Sequence, residues 1–276
     1  MPINDIIREL TEVLKRTANG NCAIALAGAH AKGVADASSD LDFYMIVDGT
    51  KPYHEILALI QPVADDVQSI YISSSFDDAP YGGNIDFRYQ GIPIETTVHT
   101  ASRVHQRVSE CLDGTFEIIP QTWTSNGYYT FIYLSELQFV QPLYDPNGLI
   151  TTYKNINPYP ENLRQAIIDC FWDRANTWLD NFHYESAIKR SDLLFTAPIV
   201  LHAILDMIQV IFALNRQYFC GDKKLQKALV SLAYCPSALL EHLEFLLSAS
   251  NDASMLQKQC DILREIRDEL SKQINQ

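Results

Sequence analysis

The chain has 276 residues, enough for two domains of ordinary size, and 47% of them are hydrophobic, enough for a substantial core. Its formal net charge is −13 and no basic run exceeds two residues, Lys223-Lys224 among them. It therefore lacks the clustered Lys and Arg that grip a nucleic-acid backbone. The six cysteines form no Cys-x-x-Cys pair, so they indicate neither a zinc site nor a disulfide framework, and reduced thiols in the cytoplasm fit best.

In chain order, Met1-Pro2-Ile3-Asn4-Asp5 lacks the basic and apolar regions of a secretory signal. Ile6, Ile7, Leu10, Val13 and Leu14 then have helical spacing and predict a helix covering a sheet. Ala23 to Ala27 reads as a short buried strand that ends in the small-residue turn Gly28-Ala29-His30-Ala31-Lys32-Gly33. Such a turn leaves backbone N–H groups open to phosphate oxygens. Ser38-Ser39-Asp40 has turn and capping character, and Leu41 to Val47 is predicted as a second strand. Alternation along that strand sets Asp40 and Asp42 on one face. Two neighbouring carboxylates repel unless a cation lies between them. Mg2+, which takes one or two carboxylates together with substrate phosphates, meets that need.

Residues 53–64 read as helical and 67–74 as extended. Asn84 to His99 reads as a hairpin turning at Gly91, with Glu95 in its second strand and Asp86 in its first. A helix follows over 101–112, and Tyr144-Asp145-Pro146-Asn147-Gly148 is a turn cluster. The chain divides near Pro142 to Pro160, with 155–160 as a linker, which predicts a first domain over 1–150 and a second over 151–276.

Beyond it the pattern is helical. Leu163, Ile167, Ile168, Phe171 and Trp172 share a face, as do Leu201, Ile204, Leu205, Ile208, Ile211 and Phe212. Leu239, Leu243, Leu246 and Leu247 repeat the spacing, and Ile262, Ile266 and Leu270 close the chain, which predicts an antiparallel bundle. The run Leu193 to Leu214 imitates a membrane span, but Asp206 near its middle favours a buried bundle helix. Trp172, Asp173 and Asp206 offer an aromatic face and carboxylates to a cationic ligand; core service is the commoner fate of such residues. The chain holds no Gly-x-x-x-x-Gly-Lys-Ser/Thr loop, no Gly-x-Ser-x-Gly elbow and no His-Glu-x-x-His.

The order strand, Gly28-Ala29, Ala31-Lys32-Gly33, Asp40-Leu41-Asp42 resembles the signature of the DNA polymerase β-like nucleotidyltransferase superfamily. The likeness is to its small-molecule branch, the aminoglycoside and lincosamide nucleotidyltransferases. The family motif opens with Gly-Ser, and Ala29 stands where that serine is usual. Glu95-Thr96-Thr97-Val98 is similar to the strand carrying the family's third carboxylate, with Asp86 as the competing candidate. Tyr144-Asp145-Pro146 resembles the element that closes the catalytic domain.

The resemblance implies an α+β protein: a short mixed sheet with flanking helices, then an all-α bundle that binds the acceptor. It implies Asp40, Asp42 and Glu95 as catalytic and Mg2+-binding residues for one or two ions. Gly28, Ala29, His30, Lys32 and Ser39 would contact the nucleotide, with Lys223 reaching it from the bundle. ATP or another NTP would give its nucleoside monophosphate to a hydroxyl of a small molecule, such as an antibiotic, in a monomer or homodimer that binds neither nucleic acid nor membrane. Nucleotidylation of a partner protein and nucleotide binding without turnover are the rival readings.

Overall fold

The five apolar positions predicted for the first helix are all buried in α1 (Ile3–Lys15). The computed structural model describes residues 2–36, 39–122, 124, 127–154, 156–219 and 221–275. After α1 come β1 (Ala18–Leu26), the single turn α2 (Gly28–Ala31), β2 (Leu41–Thr50), α3 (Tyr53–Ile60), β3 (Tyr71–Ile72), β4 (Gly83–Tyr89) and β5 (Ile92–Thr100). Then follow α4 (Ala101–Leu112), β6 (Ile118–Ile119), β7 (Tyr128–Tyr129), α5 (Ile132–Phe139) and β8 (Gln141–Tyr144). The extended segment expected over 67–74 is replaced by a 3-10 turn at Val67–Ser69 and the short β3. The cause is the Asp66 carboxylate, which accepts the Ser69 N–H at 2.7 Å and curls the chain.

Six strands form one mixed sheet in the order β3-β4-β5-β2-β1-β8. The β2–β5 pair is parallel and the other pairs are antiparallel. The hairpin at Gln90-Gly91 is closed by Asp65, whose carboxylate accepts both N–H groups at 2.7 Å. Leu41, Phe43, Met45 and Val47 of β2 face a core completed by Ile24 and Leu26, Ile85 and Phe87, Ile94 and Val98, and the apolar faces of α1 and α3. Alternation sends Asp42, Tyr44 and Ile46 to the opposite face, with Glu95, Thr97 and His99 of β5 beside them. Tyr133 of α5 covers part of that second face, its ring 4.7 Å from that of His99. One face is thus sealed by apolar helices, and the other carries the polar row.

The chain divides into two units: Met1–Cys111, Phe116–Ile119 and Tyr128–Asn157 hold the sheet, while Leu112–Thr115, Pro120–Gly127 and Pro158–Gln276 form a second unit. The second contains α6 (Glu161–Leu179), α7 (Phe182–Lys189), α8 (Leu193–Leu214), α9 (Leu225–Val230), α10 (Ser237–Leu246) and α11 (Ala253–Ile274). This is the α+β arrangement expected, a mixed sheet with helices and an all-α region. By length and composition α8 could cross a membrane; it lies against α6, α7 and α11 with most of its length buried. Leu201 and Leu247, expected on buried faces, are exposed, and Trp172 is half-buried.

Asp206 is wholly buried, and its carboxylate accepts from Arg174 Nε at 3.0 Å and Trp178 Nε1 at 3.1 Å. It is a counter-ion inside its own bundle, which corrects the reading of Asp206 as a carboxylate offered to a ligand. Breaking such a pair leaves a buried charge uncompensated, so Arg174 and Asp206 hold each other in place.

His99 generates a test of the sheet's second face. Its ring lies between those of Tyr44, at 4.8 Å, and Tyr133, and among the described residues neither ring nitrogen has a partner. Burial pushes its pKa from 6.5 down to about 3, with the Arg103 charge adding to the effect. The folded state therefore refuses a proton that the unfolded chain accepts, and stability falls as pH drops from about 6.5 toward 3. His99→Phe removes that linkage. Urea midpoints at pH 7.5 and 5 should show the variant losing about 2 kcal/mol less than the natural chain over this interval. Parallel losses would place His99 outside the acid response.

Candidate active site

A glycine is required at position 28 because of what lies opposite it. Its φ is +57°, in the left-handed region, and a Cβ there would sit 1.8 Å from Asp42 Oδ2 and 2.5 Å from Cγ. The Asp42 carboxylate thus rests directly on the backbone of the turn. The Ala27 N–H donates to the Asp42 carbonyl at 2.8 Å, tying the turn to β2 at the same residue. Within the turn, the N–H groups of Ala31, Lys32, Gly33 and Val34 donate to Ala27, Gly28, His30 and Ala29 carbonyls. Among the described residues the N–H groups of Gly28, Ala29 and His30 have no backbone acceptor, as at the start of any helical turn.

The parallel register sets Asp42 directly abreast of Glu95. Register on β4 is constant from Asn84↔Thr97 to Phe87↔Ile94, which places Asp86 opposite Glu95. Three carboxylates therefore form a row across three neighbouring strands. Glu95 and Asp86, weighed as competitors in the sequence, stand side by side. Asp86 Oδ1 accepts the Thr96 N–H at 3.1 Å, and the Asn84 amide reaches both carboxylate oxygens at 3.4 and 3.3 Å. Burial nevertheless pushes the Asp86 pKa from 3.8 to about 6, aided by the Glu95 charge and opposed by these hydrogen bonds.

Asp40 lies just before β2 rather than within it, half-buried. The Ser39 hydroxyl accepts the Asp36 N–H at 2.9 Å, and the Ser39 N–H donates to the Asp36 carbonyl at 3.0 Å. Ser39 thus closes the loop entering β2, while Ser38 falls outside the described residues. Ala29 and His30 lie half-buried in α2, and Lys32 follows it, exposed. Lys223 belongs to the helical unit, exposed in the turn before α9.

Sequence reading missed Glu136 of α5. Burial pushes its carboxyl from 4.5 to about 7, with the Asp42 charge adding to the rise and the Lys32 charge opposing it. The residue therefore shares the electrostatic field of the turn and of the carboxylate row. The available signal was a single acid in the aromatic and aliphatic stretch Tyr128-Tyr129-Thr130-Phe131-Ile132-Tyr133-Leu134-Ser135-Glu136-Leu137. An acid in such a run is costly without a partner.

Among the described residues no three His, Cys, Asp or Glu side chains converge closely enough to enclose an ion. The donor set is nonetheless that of a hard divalent cation: carboxylate oxygens abreast on adjacent strands, one of them seated against a backbone cradle that any Cβ would fill.

Against known families, residues 132–225 match a family described as a domain of unknown function (DUF4037). The match opens at α5 and leaves out the strands bearing Asp42, Asp86 and Glu95. No curated protein matches the chain. Among solved structures, a nucleotidyltransferase-like protein from Exiguobacterium sibiricum 255-15 is similar at 8% identity and TM-score 0.47, over 94% of this chain and 72% of that one. A spectinomycin adenyltransferase from Enterococcus faecialis, solved with ATP and spectinomycin, is similar at 16% identity and TM-score 0.31, over 95% and 98%. At scores this low the functional reading rests on the site itself.

Gly33 provides a control for Gly28. It too has a positive φ, +66°, but a Cβ there would meet nothing within 4 Å. Gly28→Ala and Gly33→Ala should each cost about 1–2 kcal/mol in backbone strain. Only Gly28→Ala should also displace the Asp42 carboxylate. Calorimetric binding of ATP with Mg2+ should be lost in Gly28→Ala and kept within a few-fold in Gly33→Ala. Equal effects of the two would remove the contact from the account.

Proposed function

We propose that the protein is a Mg2+-dependent nucleotidyltransferase that moves a nucleoside monophosphate from an NTP, ATP first among them, to a hydroxyl of a small molecule. The observation carrying this reading is Asp42 abreast of Glu95 with its carboxylate resting on the Gly28 turn. Few structural duties call for two acids side by side next to a glycine turn whose first N–H groups lack backbone acceptors, whereas polyphosphate chemistry uses that combination.

In this reading Asp40, Asp42 and Glu95 hold the metal. The ion, when bound, supplies positive charge against the triphosphate oxygens. The N–H groups of Gly28, Ala29 and His30 donate to phosphate oxygens, and Lys32 adds a charge beside them. Glu95 takes the proton of the acceptor hydroxyl on a carboxylate oxygen. The hydroxyl oxygen bonds to the α-phosphorus as the bond to the bridging oxygen breaks, and pyrophosphate leaves with its electron pair. The net charge of −13 favours a cationic acceptor over an anionic one.

The test is pyrophosphate release from ATP, GTP, CTP and UTP with Mg2+, across aminoglycosides, lincosamides and small polyols, with Asp42→Asn as control. Acceptor-dependent release in the natural chain is expected to fall by about a thousandfold or more in a folded Asp42→Asn variant, the scale of losing a charge that acts on the transition state. Turnover retained in that variant would remove the site. ATP binding without turnover on any acceptor would instead mark a binding module, the reading that Ala29 in the serine position favours.

A further inference from the structure

A single helical turn is marginal on its own, because closing it orders several residues for one hydrogen bond. The helix α2 is such a turn, and no side chain caps its start. The carbonyls of Ala27, Gly28, Ala29 and His30 are taken by N–H groups from the turn itself and the residues just after it. The Ala31 carbonyl is met differently. Ala31 is buried, and the group that donates to its carbonyl is a side chain 110 positions away, Gln141 Nε2 at 2.5 Å.

Gln141 opens β8, the edge strand of the sheet, and pairs in register with Leu26, the last residue of β1. Leu26 stands at the entrance to the turn and Ala31 at its exit. One residue therefore holds both ends of the segment, through its strand pairing and through its side chain. Two residues earlier, the Lys32 ammonium lies over the Phe139 ring, 5.2 Å from its centre.

We propose that Gln141 is a positioning residue that clasps the Gly28 turn and keeps the N–H groups of Gly28, Ala29 and His30 aimed at the phosphates of an incoming nucleotide. The proposal rests on the nucleotidyl-transfer reading, and gives that site a residue from outside its strand-and-turn motif. Three N–H groups can converge on one polyphosphate only while the turn is closed. A turn that opens between encounters lowers apparent affinity by its closed fraction, and a clasp made beforehand removes that loss. The pairing of β8 uses the main chain and asks nothing of the Gln141 side chain.

The test compares three forms of the full chain. Gln141→Met keeps the side-chain length and removes the donor. Leu143→Ala trims an exposed side chain farther along β8 and leaves the clasp in place. Hydrogen exchange at Ala31, Lys32, Gly33 and Val34 reads the turn, and exchange from Phe43 to Val47 reads the stability of the sheet. Gln141→Met should speed exchange in the turn about three- to tenfold, the scale of one hydrogen bond, and leave the sheet unchanged. Leu143→Ala should change neither. Calorimetry with Mg2+ then measures ATP and inorganic tripolyphosphate. Gln141→Met should weaken both by one common factor, about three- to tenfold, because the clasp acts on phosphate donors and not on the base.

Unchanged exchange in the turn of Gln141→Met would overturn the clasp. Faster exchange with unchanged affinity for both probes would leave Gln141 a structural residue and overturn the positioning role. A loss confined to ATP would tie the residue to the base and overturn it as well. If the natural chain binds neither probe, the nucleotide reading fails, while exchange still decides whether Gln141 closes the turn.

Discussion

Asp42 can turn toward the Gly28 turn only because residue 28 has no side chain. The missing Cβ leaves room for a carboxylate oxygen that would otherwise stand 1.8 Å from it. Everything else in the site is registered to that approach. The same residue receives the Ala27 N–H through its carbonyl, so the turn and the strand cannot slide apart without losing both contacts. The parallel β2–β5 register then sets Glu95 abreast, and the β4–β5 hairpin sets Asp86 next in line. A slip of one residue in either pairing would send a carboxylate into the apolar core on the other face.

That arrangement opposes stability, and the charges show it. Burial and neighbouring acids hold Asp86 near 6 and Glu136 near 7, both above their ordinary values. A carboxyl whose folded pKa is raised favours folding most in its protonated form, below the unfolded value. That contribution is lost as pH rises through about 6 and then about 7. Near neutrality the strand β4 and the helix α5 therefore each hold a buried acid that would be more comfortable in water. Sites that do chemistry on phosphates concentrate such groups, because a cation and a substrate relieve them. Stability comes from the opposite face, where α1 and α3 cover Leu41, Phe43, Met45 and Val47.

Much of this was legible in the chain. The apolar period of α1, the hairpin at Gly91 and the helix at 101–112 have local causes and appear where the pattern puts them. The Gly28 turn and Asp42 could be read as a pair because both residues belong to one short motif. Other features depend on contacts that spacing does not encode. Residues 67–69 curl because of an Asp66 side chain, which overrides their strand preference. Leu247 fits an apolar period yet ends its helix in solvent. Asp206 is buried in its bundle, as its helix suggested, but the Arg174 and Trp178 contacts that hold it join separate helices and leave no mark in the spacing. Asp86 and Glu95 seemed alternatives because strand register, which makes them neighbours, cannot be read from either strand alone. Glu136 lay in a run apolar on all sides, where no period marks a functional face.

The central claim is that Asp42 and the Gly28 turn form a metal–nucleotide site, and Mn2+ electron spin resonance addresses it without knowledge of the acceptor. Mn2+ would be titrated into the full chain with a non-hydrolysable ATP analogue, and then into Asp42→Asn under the same conditions. The account expects nucleotide-dependent immobilisation of Mn2+ by the natural chain, lost in a variant that remains folded. Equal immobilisation in both, or none by the natural chain with nucleotide present, would contradict it.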